Sequence, residues 1–116
     1  MIKVYLASPY SVGYKIGNVN RQIDMASALR NHGFTAYIPL MSHFEHERHP
    51  RPWGDWIEHD LEWLKVCDCV LRLSGESKGA DMECTEARRL YKPVFSSIDE
   101  IKKYYGLYKY KISLTI

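Results

Sequence analysis

The sequence predicts an α/β protein of the flavodoxin- or Rossmann-like kind, an open parallel sheet of four to five strands with helices on both faces. Two observations carry that expectation. Short, β-rich apolar runs alternate with segments of helical period, in the order β-α-β-α-β-α-β-α, and most connections between them are short. A chain of 116 residues can bury one real core but does not split into two, so residues 1–116 are expected to form a single domain.

The elements follow in order. IKVYLAS (2–8) is an apolar run ending in Ser-Pro and reads as a buried strand meeting a loop. In the next segment Val19, Ile23, Ala26 and Leu29 recur at steps of three and four, and Gly33 stands as a helix stop. FTAYIP (34–39) is a second strand, closed by Pro39. LMSHFEHERHPRP (40–52) has no clean period and two prolines, which predicts a long loop. WGDWIEHDLEWLKVCD (53–68) is helical again, with Trp53, Ile57, Leu61 and Leu64 on one stripe. CVLRL (69–73) is a third strand, and a helix runs from about Ala80 to Tyr91. PVFSS (93–97) is a fourth short strand and SIDEIKKYY a last short helix. In YKYKISLTI (108–116) apolar and polar residues alternate strictly, which predicts a half-exposed strand at a sheet edge or a subunit contact.

Composition narrows the function. A net charge of +2 is too small to argue for nucleic acid or an acidic membrane surface. No run reaches the roughly 18 to 20 apolar residues of a membrane helix, and the N-terminus has no signal-peptide pattern. Cys67, Cys69 and Cys84 form an odd set without metal-knuckle spacing, so buried reduced thiols in a cytoplasmic protein are expected.

Two acids stand on faces that ought to be apolar. At about 100° per residue, Ala80, Cys84, Ala87, Leu90 and Tyr91 share one arc of the helix, with Glu83 inside it and Asp81 and Glu86 outside. A start near Ala80 puts Glu83 in the first turn, at the carboxyl edge of the strands and near the positive end of the helix dipole. Such an inward carboxylate is either a helix cap or a working group. Asp60, three residues after Ile57 and four before Leu64, repeats the pattern, and either bridges to the backbone or works. Two inward acids at one sheet edge suit glycosidic-bond chemistry, one as nucleophile and one as proton donor.

The loop GESKG between them can turn backbone N–H groups toward an anion, with Ser77 and Lys78 adding a hydroxyl and a charge, or it is a simple turn. Neither a G-x-x-x-x-G-K-[ST] loop nor a G-x-G-x-x-G turn is present.

Three stretches, VYLASPYS, DLEWLKVCDCVLRL and SKGADMECTEA, resemble the nucleoside 2-deoxyribosyltransferase superfamily, which includes the 2'-deoxynucleoside 5'-monophosphate N-glycosidases. The resemblance spans most of residues 2–95, and the last stretch matches that superfamily's S-x-G-x-x-x-E-x-x-x-A. It implies that Glu83 attacks the anomeric carbon and that Asp60 assists the departing base. Tyr5 would orient the glutamate, and Ser77 would contact a 5'-phosphate. The loop SPYSVGYK departs from the glycine- and arginine-rich loop of the phosphate hydrolases, with Ser8, Ser11 and Lys15 in its place. Gly79, Tyr10, His43 and Trp53 complete the expected substrate-binding set, with Trp56 and Phe44 as further stacking candidates.

The implied activity is cleavage of the N-glycosidic bond of a nucleoside or its 5'-monophosphate, by water or by transfer to a second base. The expected partner is that small molecule, without cofactor or metal, nucleic acid or membrane, in a homodimer or higher homo-oligomer. Two alternatives stay open. One is a non-catalytic nucleotide-binding module on the same fold. The other is a metal-dependent hydrolase using His43, His46 and His49 of HFEHERH.

Overall fold

The computed structural model describes residues 1–106, and the alternating segment 108–116 lies outside the described residues. Four parallel strands, β1 (Lys3–Ala7), β2 (Thr35–Tyr37), β3 (Cys69–Arg72) and β4 (Val94–Phe95), form one sheet in the order β2-β1-β3-β4. The helices are α1 (Lys15–Asn31), α2 (Ser42–Arg48), α3 (Trp53–Leu64), α4 (Lys78–Arg89) and α5 (Ile98–Ile101), the last running on into a wider turn over Lys102–Gly106. The parallel α/β architecture is therefore the one predicted.

Alternation along β1 divides the core. Val4 and Leu6 point to one face and pack with Ala26 and Leu29 of α1 and Ile101 of α5. Tyr5 and Ala7 point to the other face and pack with Leu64 of α3 and Ala80, Cys84 and Ala87 of α4. All three cysteines are buried and free, as expected of reduced thiols filling an apolar interior. Burial of this kind stabilises by about 25 cal/mol per Å² of apolar surface.

The chain order reverses between β1 and β3, since β2 lies on one side of β1 and β3 on the other. In open parallel sheets the loops leaving the strands on either side of such a reversal part and leave a crevice. Those loops are residues 8–14 and 73–77.

Helix boundaries correct the sequence reading in five places. Helix α3 ends at Leu64 and not at Asp68, whose N–H already bonds to the Lys3 carbonyl of β1. Helix α1 begins at Lys15, where the Asn18 side chain donates to the carbonyls of Tyr10 and Val12 at 2.9 Å and pins the loop to the first turn. Its end is as expected: Gly33 takes a φ of +85°, and the N–H groups of Gly33 and Phe34 bond back to Arg30 and Leu29. The stretch 40–52 is not one long loop. A single 3-10 turn at Pro39–Met41 leads into α2, whose buried residue is His43. A helix anchored by a histidine shows no apolar period, so the pattern concealed it. Finally, α4 starts at Lys78 behind Ser77, whose hydroxyl caps it by accepting from the N–H of Ala80 at 3.0 Å. It ends at Arg89, leaving Tyr91 at a φ of +58° and 96% exposed rather than on the buried arc.

Candidate active site

A cavity of about 520 Å³ opens at the reversal point. Ser8, Tyr10 and Ser11 of the loop after β1 line it, facing Ser77 and Gly79 at the start of α4, with His43 of α2 and Trp53 of α3 closing the sides. Asp60 and Glu83 lie on its inner wall, so the predicted residues converge on one site. Tyr5 is fully buried and does not line the cavity; it stands behind Glu83 and donates its hydroxyl to Glu83 Oε2.

The earlier start of α4 places Glu83 in the second helical turn instead of the first. Ser77 does the capping, so Glu83 is not a cap, and its recorded partner is Tyr5. Glu83 keeps only 6% of its surface exposed, and desolvation pushes its carboxyl up to about 8. The Tyr5 hydrogen bond opposes that rise, nearby Asp60 adds to it, and Arg72 opposes it. Burial also holds the Tyr5 hydroxyl well above its ordinary range, so Tyr5 stays a donor.

Among the described residues Asp60 does not bridge to a backbone group. Its recorded polar contact is His59 Nδ1 at 3.4 Å, and desolvation raises its carboxyl to about 6 while His59 pulls the other way. Two acids of unequal proton affinity thus share one cavity, with Glu83 holding its proton the more tightly because it is the more deeply desolvated.

The loop 73–77 is clamped from two sides. Arg72 donates to the carbonyls of Leu73 and Gly75 and to Asp81, the last two at 2.9 and 3.0 Å. Arg21 of α1 donates to the carbonyl and hydroxyl of Ser74 at 2.7 and 3.0 Å. Gly75 has a φ of +123°, and a Cβ there would stand 2.7 Å from Pro9 Cγ. The loops leaving β1 and β3 therefore touch, and only glycine permits it.

Gln22 was not anticipated as a site residue. It sits buried between Val19 and Ala26 on the inner stripe of α1, where Ile23 was expected and is only partly buried. Its amide N–H groups donate to the Leu6 carbonyl and the Ser8 hydroxyl at 3.2 and 2.8 Å, while its oxygen accepts from the N–H of Leu40 at 3.2 Å. The signal was available: a polar residue on an apolar stripe, as for Asp60 and Glu83.

Aromatic side chains furnish the outer wall. Trp53 is half exposed instead of packed on the stripe of α3, with Lys78 Nζ 5.8 Å from its ring centroid. Trp56 and His46 also line the cavity, whereas Phe44 does not and is exposed. Tyr10 shares a hydrogen bond of 2.5 Å with His43 Nδ1, which ties the first loop to α2. His49 is exposed at the end of α2, and among the described residues no group of three His, Cys, Asp or Glu gathers as metal ligands.

The family model described as Domain of unknown function (DUF4406) matches residues 2–96. The chain belongs to this family. A search of curated proteins finds no match to this DUF4406 chain. Among solved structures it is similar to the 2-deoxyribosyltransferase of the psychrotolerant bacterium Bacillus psychrosaccharolyticus, a protein characterised as a biocatalyst for synthesis of antiviral and antitumoral nucleosides. The two are 22% identical, with a TM-score of 0.57 over 83% of this chain and 75% of that one. At that identity the likeness establishes a common fold. Among the described residues no helix is long and apolar enough to cross a membrane.

Proposed function

We propose that this DUF4406 chain cleaves the N-glycosidic bond of a nucleoside or a nucleoside 5'-monophosphate through a covalent glycosyl ester on Glu83. The observation that carries the reading is a buried carboxylate, aimed by the hydroxyl of Tyr5, on the wall of a cavity that a second raised carboxyl, Asp60, also lines. The common fold with a 2-deoxyribosyltransferase supports the same substrate class.

In the first step the ionised Glu83 attacks C1' of the sugar. A C–O ester bond forms as the C1'–N bond breaks, its electron pair leaves with the base nitrogen, and Asp60 supplies the proton that nitrogen takes up. Tyr5 keeps one glutamate oxygen hydrogen-bonded, which stabilises its charge and leaves the other free to attack. Positive charge developing at C1' lowers the proton affinity of Glu83, while the approaching base nitrogen draws the proton of Asp60. Substrate thereby draws the two acids into their working states. In the second step water or another base attacks C1' from the face the first base left, its proton passes to Asp60, and the ester C1'–O bond breaks to return Glu83 as carboxylate with net retention in transfer.

A 5'-phosphate would sit at the start of α4. Ser77 uses an oxygen lone pair on the N–H of Ala80 and keeps its own O–H to donate. The N–H groups of Lys78 and Gly79, in the first turn, have no intrahelical acceptors, and Lys78 adds positive charge.

The deciding experiment incubates the chain with a panel of nucleosides and 5'-monophosphates, with and without a second base. Free base alone identifies a hydrolase, and a new nucleoside a transferase. Glu83→Gln should bind the same substrate and release no base, and the wild-type glycosyl ester should add the sugar's mass to the peptide holding Glu83. Base release by the mutant at the wild-type rate would remove Glu83 from the role of nucleophile. Binding without cleavage by the wild type would leave a nucleotide-binding module.

A further inference from the structure

His46 carries two donors on one nitrogen. The indole N–H of Trp56 reaches its Nδ1 at 2.8 Å, and the backbone N–H of Arg51 reaches the same atom at 3.3 Å. A ring nitrogen that accepts holds no proton, so the imidazole is the neutral tautomer with its proton on Nε2. The ring lies at 73° to Trp56, both side chains line the cavity, and Nε2 has no hydrogen-bond partner among the described residues. The fold thus holds an N–H donor of fixed tautomer on a residue that lines the cavity together with Trp53, Trp56 and Ile57.

We infer that His46 Nε2–H is a specificity-determining donor that reads an acceptor atom, a carbonyl oxygen or an unprotonated ring nitrogen, on the nucleobase. The inference rests on the reading of the cavity as a nucleoside site and adds to it how one base is told from another. A flat aromatic wall takes any base by stacking. One directional donor in that wall penalises a base with nothing to offer it, because the donor is then left unpaired and desolvated.

Two substitutions separate recognition from support. In His46→Asn the side-chain oxygen falls near the position of Nδ1 and can still accept from Trp56 and Arg51, but nothing replaces Nε2–H. In His46→Gln the amide reaches the position of Nε2 and can donate, while the acceptor for Trp56 is lost. The probes are nucleosides and analogues in which a single carbonyl or ring-nitrogen acceptor of the base is replaced by C–H, with binding followed by tryptophan fluorescence. One such deletion should weaken binding to the wild type about five- to tenfold. The same deletion should have no effect in His46→Asn and keep its effect in His46→Gln, with His46→Asn melting close to the wild type. Discrimination equal in the wild type and His46→Asn would overturn the inference, as would a wild type indifferent to every deletion. Because binding is read without turnover, a wild type that discriminates bases but cleaves none refutes the proposed catalysis and sustains the role of His46. A wild type that binds no nucleoside refutes both.

Discussion

Tyr5 and Glu83 are 78 residues apart in the chain, and the hydroxyl of one donates to the carboxylate of the other inside the core. The pleat of β1 sends Tyr5 to the α3 and α4 side of the sheet, and the second turn of α4 brings Glu83 over it. The acid therefore rests on a strand, and its aim is set by a buried residue of β1, which pairs with a neighbouring strand on each side.

Tyr5→Phe removes that support and little volume. The rate of base release should fall about a hundredfold, the size of effect expected when a reacting group loses its alignment, with little change in KM. Since the Tyr5 hydrogen bond lowers the proton affinity of Glu83, its loss should also move the alkaline flank of the pH profile upward. Steady-state kinetics across pH checks both.

The wild-type profile should itself be a bell with flanks near 6 and 8, the positions of Asp60 and Glu83. Only the singly protonated pair can react. Substituting Asp60→Asn should abolish the acid-assisted step yet spare substrates with a good leaving group, which need no proton. Rates with activated and ordinary leaving groups test this.

Glu83→Gln should stabilise the fold in a pH-dependent way. The folded-state value near 8 lies above the ordinary 4.5, so the folded chain binds the extra proton and loses stability as pH rises between the two. Below the lower value the wild type and mutant should melt alike. Above the higher one the mutant should melt several degrees higher, at about 4–8 °C per kcal/mol for a domain of this size. Thermal melts at pH 4 through 9 decide it, and a gap that widened toward acid would contradict the desolvation of Glu83.

Gly75→Ala should cost about 1–3 kcal/mol from the backbone conformation alone. The added methyl would further meet Pro9 Cγ at 2.7 Å and push apart the loops after β1 and β3. A melting temperature lower by roughly 5–15 °C with a raised KM is expected. An unchanged KM would mean the two loops do not share the substrate.

The acids were legible because a charged residue on an apolar arc is conspicuous whatever the fold. Strands β1 and β3 were legible because buried parallel strands read as continuous apolar runs, whereas the side-by-side order of the strands was not read from the sequence. Helix α2 was not, because its inward residue is His43, which a hydropathy pattern counts as polar. The start of α4 was misplaced by two residues because GESKG was read as loop through Gly79, when Ser77 already caps the helix. Gln22 escaped because its stripe was traced through Ile23, one position round the helix. The His43 and Gln22 misses concern polar side chains satisfied by partners 14 to 33 residues away, which spacing along the chain does not reveal, whereas the Ser77 cap is local.

Both ends of the Gln22 amide are occupied, one by the end of β1 and Ser8, the other by Leu40 beyond β2. One buried side chain therefore sets the spacing between two walls of the cavity while filling the interior beneath them. Evolution cannot tune this part of the pocket and the interior separately. Changes of substrate preference are freer at Trp53, Ser11 and Lys78, which line the same cavity and are exposed.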